Sequence, residues 1–155
     1  NQPLAESQGS RIVLDLPQNP CVAAVDPRRI ERVVRNLLSN AIEHGQGEPI
    51  EVRVAGSEDA IAISVRDHGR GLDDADLDRV FDRFWRADPA RARTLGGTGL
   101  GLSIALEDAR LHGGRLSVWG RPGDGALFRL TVPRVAGHPL PAESPLPLDP
   151  TQVQV

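Results

Sequence analysis

The feature that most constrains the fold is a long amphipathic segment between residues 26 and 44. Asp26 is a favourable helix cap and Pro27 suits the first helical position, so together they predict where a helix begins. Gly45 predicts where that helix ends. Seven apolar residues share one broad face of the helix: Ile30, Val33, Val34, Leu37, Leu38, Ala41 and Ile42. A face of this width has to be buried against a second layer of structure.

The second layer is predicted by short apolar segments elsewhere in the chain. Alternation of apolar and polar residues is typical of half-buried strands. Six segments are strand candidates: 11–17, 21–25, 50–54, 61–65, 115–120 and 126–133. Turn-like sequences at 56–59 and 121–125 join successive strands, which favours a mixed, mainly antiparallel sheet.

Two further helices are predicted, over residues 73–84 and 100–112. Acidic residues open the first of them, as the helix dipole favours, and its apolar face carries Leu77, Val80, Phe81 and Phe84. Three helices on one face of the sheet make an α/β two-layer sandwich. We expect 1–10 to be the end of a preceding linker, 11–136 to be one domain and the Pro-rich 137–155 to be a disordered tail.

Composition excludes several classes of function. The net charge of −3 gives no support to binding nucleic acid, which normally requires a basic face. The single cysteine, Cys21, precludes an internal disulfide. No apolar run approaches the roughly 20 residues that span a bilayer. The chain contains neither methionine nor lysine, so we expect it to be a piece of a longer protein whose phosphate-binding cations are arginines.

A polar stripe runs beside the apolar face of the helix at 26–44. Asn36 and Asn40 are one turn apart, and Glu43 and His44 extend the same face. Asparagine is a poor residue for a helix interior, so its repetition needs a reason. Carboxamide oxygens are suitable ligands for a Mg²⁺ ion that bridges phosphates. A solvated polar face is the alternative interpretation.

A glycine-punctuated loop follows the strand at 61–65. Asp67 stands at the strand end, where a carboxylate can accept a hydrogen bond from an exocyclic amine. Gly69 and Gly71 would let the backbone approach a flat ring closely. Taken alone, the same residues also fit an ordinary turn.

A second glycine-rich loop, at 96–101 (GGTGLG), opens the helix at 100–112. Free backbone N–H groups at a helix start attract phosphate. The loop is not a P-loop, which needs a lysine, and it does not follow the first strand of a βαβ unit as a dinucleotide fingerprint does. It is therefore a third kind of phosphate loop.

In this order, the segments resemble the sequence boxes of bacterial sensor histidine kinases. Residues 36–41 (NLLSNA) resemble the N box, 67–71 (DHGRG) the G1 box, 81–86 (FDRFWR) the F box and 97–102 (GTGLGL) the G2 box. Residues 123–128 (GDGALF) resemble that family's final hairpin, so the resemblance covers about 11–134. The stretches 83–91 (RFWRADPAR) and 106–114 (LEDARLHGG) also resemble the actinobacterial MtrB-type kinases.

The resemblance implies the Bergerat ATP-binding fold, shared with gyrase, MutL and heat-shock chaperone ATPases. It implies that Asn40 ligates Mg²⁺ with help from Asn36, that Asp67 binds the adenine amine and that His44 lies near the nucleotide. Gly69 and Gly71 would shape the adenine pocket. The phosphates would be held by the loop residues Gly97, Thr98, Gly99, Leu100 and Gly101, under a mobile lid at 86–98.

Two residues depart from the family pattern. Ala126 stands where Thr or Ser is common, a difference that we regard as neutral. The second departure changes the charge. Many members carry Lys or Arg three residues after the second Asn, where this chain has Glu43. An acid near a triphosphate repels it, so a lid arginine has to compensate. The candidates for this cation are Arg86, Arg91 and Arg93.

The resemblance implies transfer of the γ-phosphate of Mg-ATP to a histidine outside this chain. None of His44, His68, His112 or His138 follows the phosphoacceptor pattern, a His followed by an acid early in a helical hairpin. The acceptor would lie on a dimerisation segment preceding Asn1, in a membrane-bound homodimer whose catalytic domain is cytoplasmic and which signals to a response regulator.

Two other functions remain open at this stage. An ATPase like gyrase or MutL would carry a Glu base at the position of Asn36, and a carboxamide cannot take a proton from water. A non-catalytic module that binds nucleotide or a partner is the other alternative, since Glu43 would weaken binding of ATP.

Overall fold

The computed structural model describes residues 9–85 and 100–151, which form one sheet and three helices. In chain order the elements are β1 (Ile12–Asp15), α1 (Pro27–His44), β2 (Ile50–Gly56), β3 (Ala60–Asp67), α2 (Asp74–Arg79), α3 (Gly101–Leu111), β4 (Arg115–Gly120) and β5 (Ala126–Pro133).

The sheet has the strand order β1-β2-β3-β5-β4. β1 runs parallel to β2, and the other three pairings are antiparallel. The helices pack on one face, so the predicted two-layer sandwich with a mixed, mainly antiparallel sheet is confirmed. Within the described ranges, no helix has the length and apolar character needed to cross a membrane.

Helix α1 begins and is buried as its sequence predicts. The side chain of Asp26 accepts hydrogen bonds from the backbone N–H groups of Arg28 and Arg29, at 3.0 and 3.4 Å. Val33 and Leu37 are fully buried in the core between α1 and the sheet. The cap therefore sets where the helix starts, and the apolar stripe sets which face meets the sheet.

A buried carboxylate joins α1 to α3. Asp108 of α3 has no exposed surface and accepts hydrogen bonds from Arg29 at 2.9 Å and from Arg32 at 2.8 and 2.7 Å. The hydrogen bond from Arg32, which outweighs the opposing effect of burial, lowers the pKa of the Asp108 carboxyl below its ordinary value. The two helices are thus held together by charge-assisted bonds as well as by apolar packing.

His112, just after α3, strengthens the same junction. Its Nε2 accepts the backbone N–H of Asp26 at 3.0 Å, and its Nδ1 lies 2.8 Å from the carbonyl oxygen of Asp108. This pattern requires a neutral ring that donates from Nδ1. His112 therefore joins the start of α1 to the end of α3.

The predicted strand at 21–25 is absent from the sheet. Its residues Cys21, Ala23 and Val25 pack against the core, and the Ala24 N–H donates to the carbonyl oxygen of Arg134, just after β5, at 2.8 Å. An apolar run can pack against a core without forming a ladder, so its composition alone overpredicted a strand.

The predicted helix at 73–84 is shorter than expected. The capping box of Asp73 and Asp76 forms, which confirms a structural role for these acids, but α2 ends at Arg79. The chain continues in turns, where Val80 is buried and Phe81 packs edge-on against Phe128 with ring centroids 6.1 Å apart. Phe84, expected on the buried face, is 70% exposed because the helical periodicity has already been lost.

The C-terminal segment also departs from the expectation of a disordered tail. Residues 137–151 follow a defined path without regular secondary structure. Leu146 in this segment is only 2% exposed, and its carbonyl oxygen accepts a hydrogen bond from Arg129 of β5 at 3.0 Å. The side chain of Arg129 lies on the face of β5 opposite Phe128 and Leu130, which belong to the core beneath the helices.

We predict that Asp108→Asn destabilises the domain by about 1.5–3 kcal/mol at neutral pH, because two guanidinium groups lose their anionic partner. The lowered pKa means that Asp108 contributes stability above its unfolded-state pKa of about 3.9, and that this contribution disappears as pH falls through the folded-state pKa. Urea unfolding at pH 7 and at pH values below the unfolded-state pKa of about 3.9 measures this. Glu107→Gln, at an exposed neighbour, is the control, and equal losses in the two variants contradict the prediction.

Candidate nucleotide-binding site

The centre of the candidate site is Asp67, the last residue of β3. Its side chain is 2% exposed, and Oδ1 accepts the backbone N–H of Gly69 at 3.0 Å. Burial raises the pKa of the Asp67 carboxyl above its ordinary value, and the backbone N–H groups of Gly69 and Ala126 act against that rise. A buried carboxylate that accepts hydrogen bonds from backbone N–H groups is suited to accept a further donor from a ligand.

Asp67 shares a pocket with polar residues of α1. Asn40 and His44 line it from the helix, at the separation of one turn that the sequence predicts. The opposite side is apolar and includes Leu72, Val80 and Trp85. An apolar slot with a few converging polar groups is the usual form of a small-molecule site.

The pocket is narrow. It encloses about 20 Å³, roughly the room that a single water molecule requires. A purine ring can therefore enter only after the lining side chains move apart. Trp85 is the largest of these side chains, and it precedes the residues at 86–99 that lie outside the described structure.

The two glycines after Asp67 are required by contacts within the protein itself. A Cβ atom on Gly69 would overlap the carbonyl oxygen of His44, and one on Gly71 would overlap that of Arg121. Gly71 also has a φ of +78°, which favours glycine. The sequence suggests that a ligand ring needs this space, whereas the structure places backbone there and so packs the loop between α1 and the turn before β5.

The start of α3 lies beside Asn36. A Cβ built on Gly101 would be 3.6 Å from Oδ1 of Asn36, so Gly101 allows the helix start to approach α1 closely. Among the described residues, no side chain caps the N-terminus of α3. The start of this 11-residue helix therefore lies beside Asn36, one turn of α1 away from the pocket residue Asn40.

Several predicted site residues fall outside the described structure. These are the lid arginines Arg86, Arg91 and Arg93 and the loop residues Gly97, Thr98 and Gly99. Among the described predicted residues, Asn40, His44, Asp67 and Gly71 line one pocket, Gly69 supports Asp67, and Leu100 and Gly101 open α3 next to Asn36.

Trp85 and Arg70 also line the pocket, although neither was predicted to be a site residue. Both lie within the sequence boxes at 81–86 and 67–71, yet neither lies on a periodic face from which the direction of its side chain could be predicted. Their position depends on the turns after α2 and on the packing of the loop, which are long-range features.

Comparison with known proteins agrees with this geometry. Residues 25–136 match the family model described as histidine kinase-, DNA gyrase B-, and HSP90-like ATPase. The chain belongs to this family. Within it the chain is a catalytic domain of the sensor histidine kinase type, so the predicted family, fold and enzyme class are confirmed.

The similarity to sensor histidine kinases is extensive. Sensor histidine kinase MtrB of Mycobacterium tuberculosis is 54% identical over 147 residues, covering 95% of this chain and 26% of that protein. The resemblance to MtrB-type kinases is thereby confirmed. The chain spans about a quarter of the length of this relative.

Two solved structures have similar folds. Full-length ShkA in complex with AMPPNP superposes with a TM-score of 0.75 and 26% identity, over 94% of this chain and 29% of that one. The catalytic domain of histidine kinase ThkA superposes with a TM-score of 0.70 over 84% of each chain, and at 24% identity it supports the fold alone.

We predict that Asp67→Asn leaves the ligand-free domain at least as stable as the parent at pH 7. The raised pKa means that ionised Asp67 disfavours the folded state; this cost is absent below the unfolded-state pKa of about 3.9 and grows as pH rises towards the folded-state pKa. Asparagine stays neutral and can still accept the Gly69 N–H. Thermal melting at pH 7 and pH 4 tests this, with the exposed Asp78→Asn as control, and a clear loss of stability at pH 7 would refute it.

Proposed function

We propose that this domain binds Mg-ATP in the pocket around Asp67 and donates the γ-phosphate to a histidine on a separate dimerisation segment. The phosphoryl group would then pass to a response regulator. The observation that carries the proposal is that one pocket combines the buried carboxylate of Asp67 with Asn40 and His44, while the start of α3 lies beside Asn36, one turn of α1 from Asn40. Full-length ShkA, a structural relative, has been solved with AMPPNP, which supports ATP as the nucleotide.

The adenine end of the site is assigned to Asp67 and its loop. The carboxylate would accept the exocyclic amine of adenine, a charge-assisted bond in a water-poor setting. Gly69 and Gly71 would act indirectly, by keeping the loop in contact with α1 and with the turn at 121–125. His44 and Trp85 would then lie beside the purine ring or the ribose.

The phosphate end is assigned to the two asparagines and to the start of α3. Asn40, assisted by Asn36, provides neutral carboxamide oxygens of the kind that a largely hydrated Mg²⁺ accepts. The bound ion would neutralise charge on the phosphates. The glycine loop, with Gly97, Thr98, Gly99, Leu100 and Gly101, would direct backbone N–H groups at the same phosphates. Arg86, Arg91 and Arg93 are the proposed cations of the lid.

The nucleophile is assigned to another segment. His112 uses both ring nitrogens to join α1 and α3, and His68 lies 3.1 Å from Glu51 on β2. These histidines are occupied by structural contacts away from a transferable phosphate. The acceptor is therefore proposed to lie in a dimerisation segment of a membrane-bound homodimer, with this domain on the cytoplasmic side.

Hydrolysis is the less favoured reaction for this site. The residue next to the start of α3 is Asn36, and a carboxamide cannot accept a proton from an attacking water molecule. Transfer to an imidazole needs no such base, because the acceptor is already a nucleophile and the domain only has to position and neutralise the phosphate.

We predict that Asn40→Ala weakens Mg-dependent binding of ATP at least about tenfold, because the pocket loses its metal-ligating oxygen. Binding measured in excess chelator should change little. Calorimetry with and without Mg²⁺ measures the difference, and thermal melting confirms that the variant is folded. Ser39→Ala, one residue away on α1, is the matched control. Equal Mg-dependent affinity in Asn40→Ala and the parent would exclude Asn40 as the ligand.

We predict that the isolated domain neither labels itself nor hydrolyses ATP at a typical enzymatic rate of roughly 1–10³ s⁻¹. Adding the dimerisation segment of the intact kinase in trans should produce labelling of that segment from ATP carrying a γ-phosphate label. Rapid hydrolysis by the isolated domain would favour the ATPase alternative. Self-labelling that is lost on substitution of one of the four histidines would show that the acceptor lies within this chain.

A further inference from the structure

The two sequence neighbours of Asp67 have their side chains on the outer face of the sheet, which is the face opposite the helices. Side chains alternate between the two faces of a strand, so Arg66 lies on the outer face while Val65 belongs to the core beneath the helices. His68 follows β3 directly, and its Nε2 lies 3.1 Å from Oε1 of Glu51 on β2. The buried carboxylate of Asp67 is thus flanked by two polar side chains that are held elsewhere.

Arg66 is held by contacts to two other elements. Its guanidinium carbon lies 5.5 Å from the ring centroid of Trp119 on β4, and its Nη2 lies 3.5 Å from Oδ1 of Asp124 in the turn at 121–125. Leu127 of β5 pairs with both Arg66 and Trp119, so the arginine reaches the ring across one strand. The side chain of Arg66 therefore connects β3 to β4 and to the turn.

Burial makes these contacts of Arg66 costly to lose. The side chain is 16% exposed, and its Nε is buried without a hydrogen-bond partner among the described residues. A guanidinium group in this setting depends on the ring face of Trp119 and on Asp124 to offset its desolvation. Arg121 lies over the same ring at 5.8 Å from its centroid, so the ring contacts two guanidinium groups. Without the ring, Arg66 would be able to shift.

Asp67 itself lies at the end of the strand ladder. On the β5 side it forms the last pair, opposite Ala126, and on the β2 side the ladder ends one residue earlier, at the pair of Glu51 and Arg66. Neighbouring strands therefore fix the backbone of Asp67 on one side only. Contacts of the adjacent side chains contribute to its orientation.

The orientation of Asp67 has a local reporter. A single peptide bond separates Asp67 from Arg66 and from His68, so a shift of either neighbour turns the Cα–Cβ bond of Asp67 directly. Oδ1 of the carboxylate accepts the backbone N–H of Gly69 at 3.0 Å. Exchange of the Gly69 amide with solvent therefore measures how well the carboxylate is held.

We propose that Arg66 and His68, anchored on the outer face of the sheet, are positioning residues that orient the Asp67 carboxylate towards the adenine amine. The inference rests on the proposed binding of ATP and deepens it. Neither residue belongs to the described lining of the pocket, so their contribution is distinct from contact with the ligand.

The test replaces anchors on the outer face and compares them with a matched control. Arg66→Met removes the main anchor, and Arg53→Met is the control, because Arg53 pairs with Asp15 at 3.0 Å at the β1 edge of the sheet. Trp119→Leu removes the ring that holds Arg66, whereas Trp119→Phe keeps an aromatic face. Affinities for Mg-ATP and for inorganic triphosphate are measured by calorimetry below the melting temperature of each variant. Exchange of the Gly69 amide is measured by NMR without ligand.

We expect Arg66→Met and Trp119→Leu to weaken Mg-ATP binding about five- to tenfold and to retain the affinity for inorganic triphosphate, which lacks the adenine amine. The Gly69 amide should exchange faster in both variants. Trp119→Phe and Arg53→Met should match the parent in all three measurements. His68→Ala should have a smaller effect of the same kind, because its contact with Glu51 is more exposed.

Three results for Arg66→Met overturn the proposal: unchanged Mg-ATP affinity and Gly69 exchange, equal losses for Mg-ATP and inorganic triphosphate, or losses no larger than those of Arg53→Met. If Arg66→Met does not fold, Trp119→Leu decides by the same criteria. A parent domain that does not bind Mg-ATP refutes the proposed function, and exchange of the Gly69 amide then decides whether the anchors orient Asp67.

Discussion

The geometry of the site depends on the buried contact of Asp108 with Arg29 and Arg32. The two arginines are on α1, which also carries Asn36 and Asn40, and the carboxylate is on α3, which begins at Gly101. Asp108 therefore holds the helix of the proposed metal ligands against the helix that begins at the proposed phosphate loop. The electrostatic effect of the first N–H groups of a helix extends over only about one turn. A small shift of α3 relative to α1 would therefore move these N–H groups away from Asn36 and Asn40.

The two buried aspartates of this domain illustrate opposite uses of a carboxylate. Asp108 is neutralised by guanidinium groups, and its pKa is lowered; Asp67 is held by backbone N–H groups, and burial raises its pKa. The first contributes stability at neutral pH, whereas the second reduces it. A protein can tolerate this loss of folding stability where binding of a ligand offsets it. The raised pKa is thus a physical reason, independent of any motif, to propose a functional role for Asp67.

Local sequence patterns predicted the parts of the fold that local interactions determine. Asp26 and Pro27 define the start of α1, and Asp67 follows a clearly alternating strand. The predictions failed where contacts between residues far apart in the sequence determine the structure. The run at 21–25 packs against the core and forms a backbone hydrogen bond to Arg134, just after β5. Residues 139–151 are held by side chains that precede them by up to 27 residues. Proline content predicts the absence of regular structure, but it cannot tell an undocked tail from a docked one.

The C-terminal residues 139–151 also affect how the outer face of the sheet is covered. In a two-layer sandwich the face away from the helices normally meets solvent, so β4, at the edge of the sheet, and the turn at 121–125 would be supported from one side only. Here Leu146 and the Arg66–Trp119–Arg121 cluster support them from the other side. The carbonyl oxygen of Arg121 in that turn lies against Gly71, so the turn directly contacts the loop that follows Asp67. Residues between 139 and 151 therefore pack on the sheet beyond residue 136, where composition predicted the end of the domain.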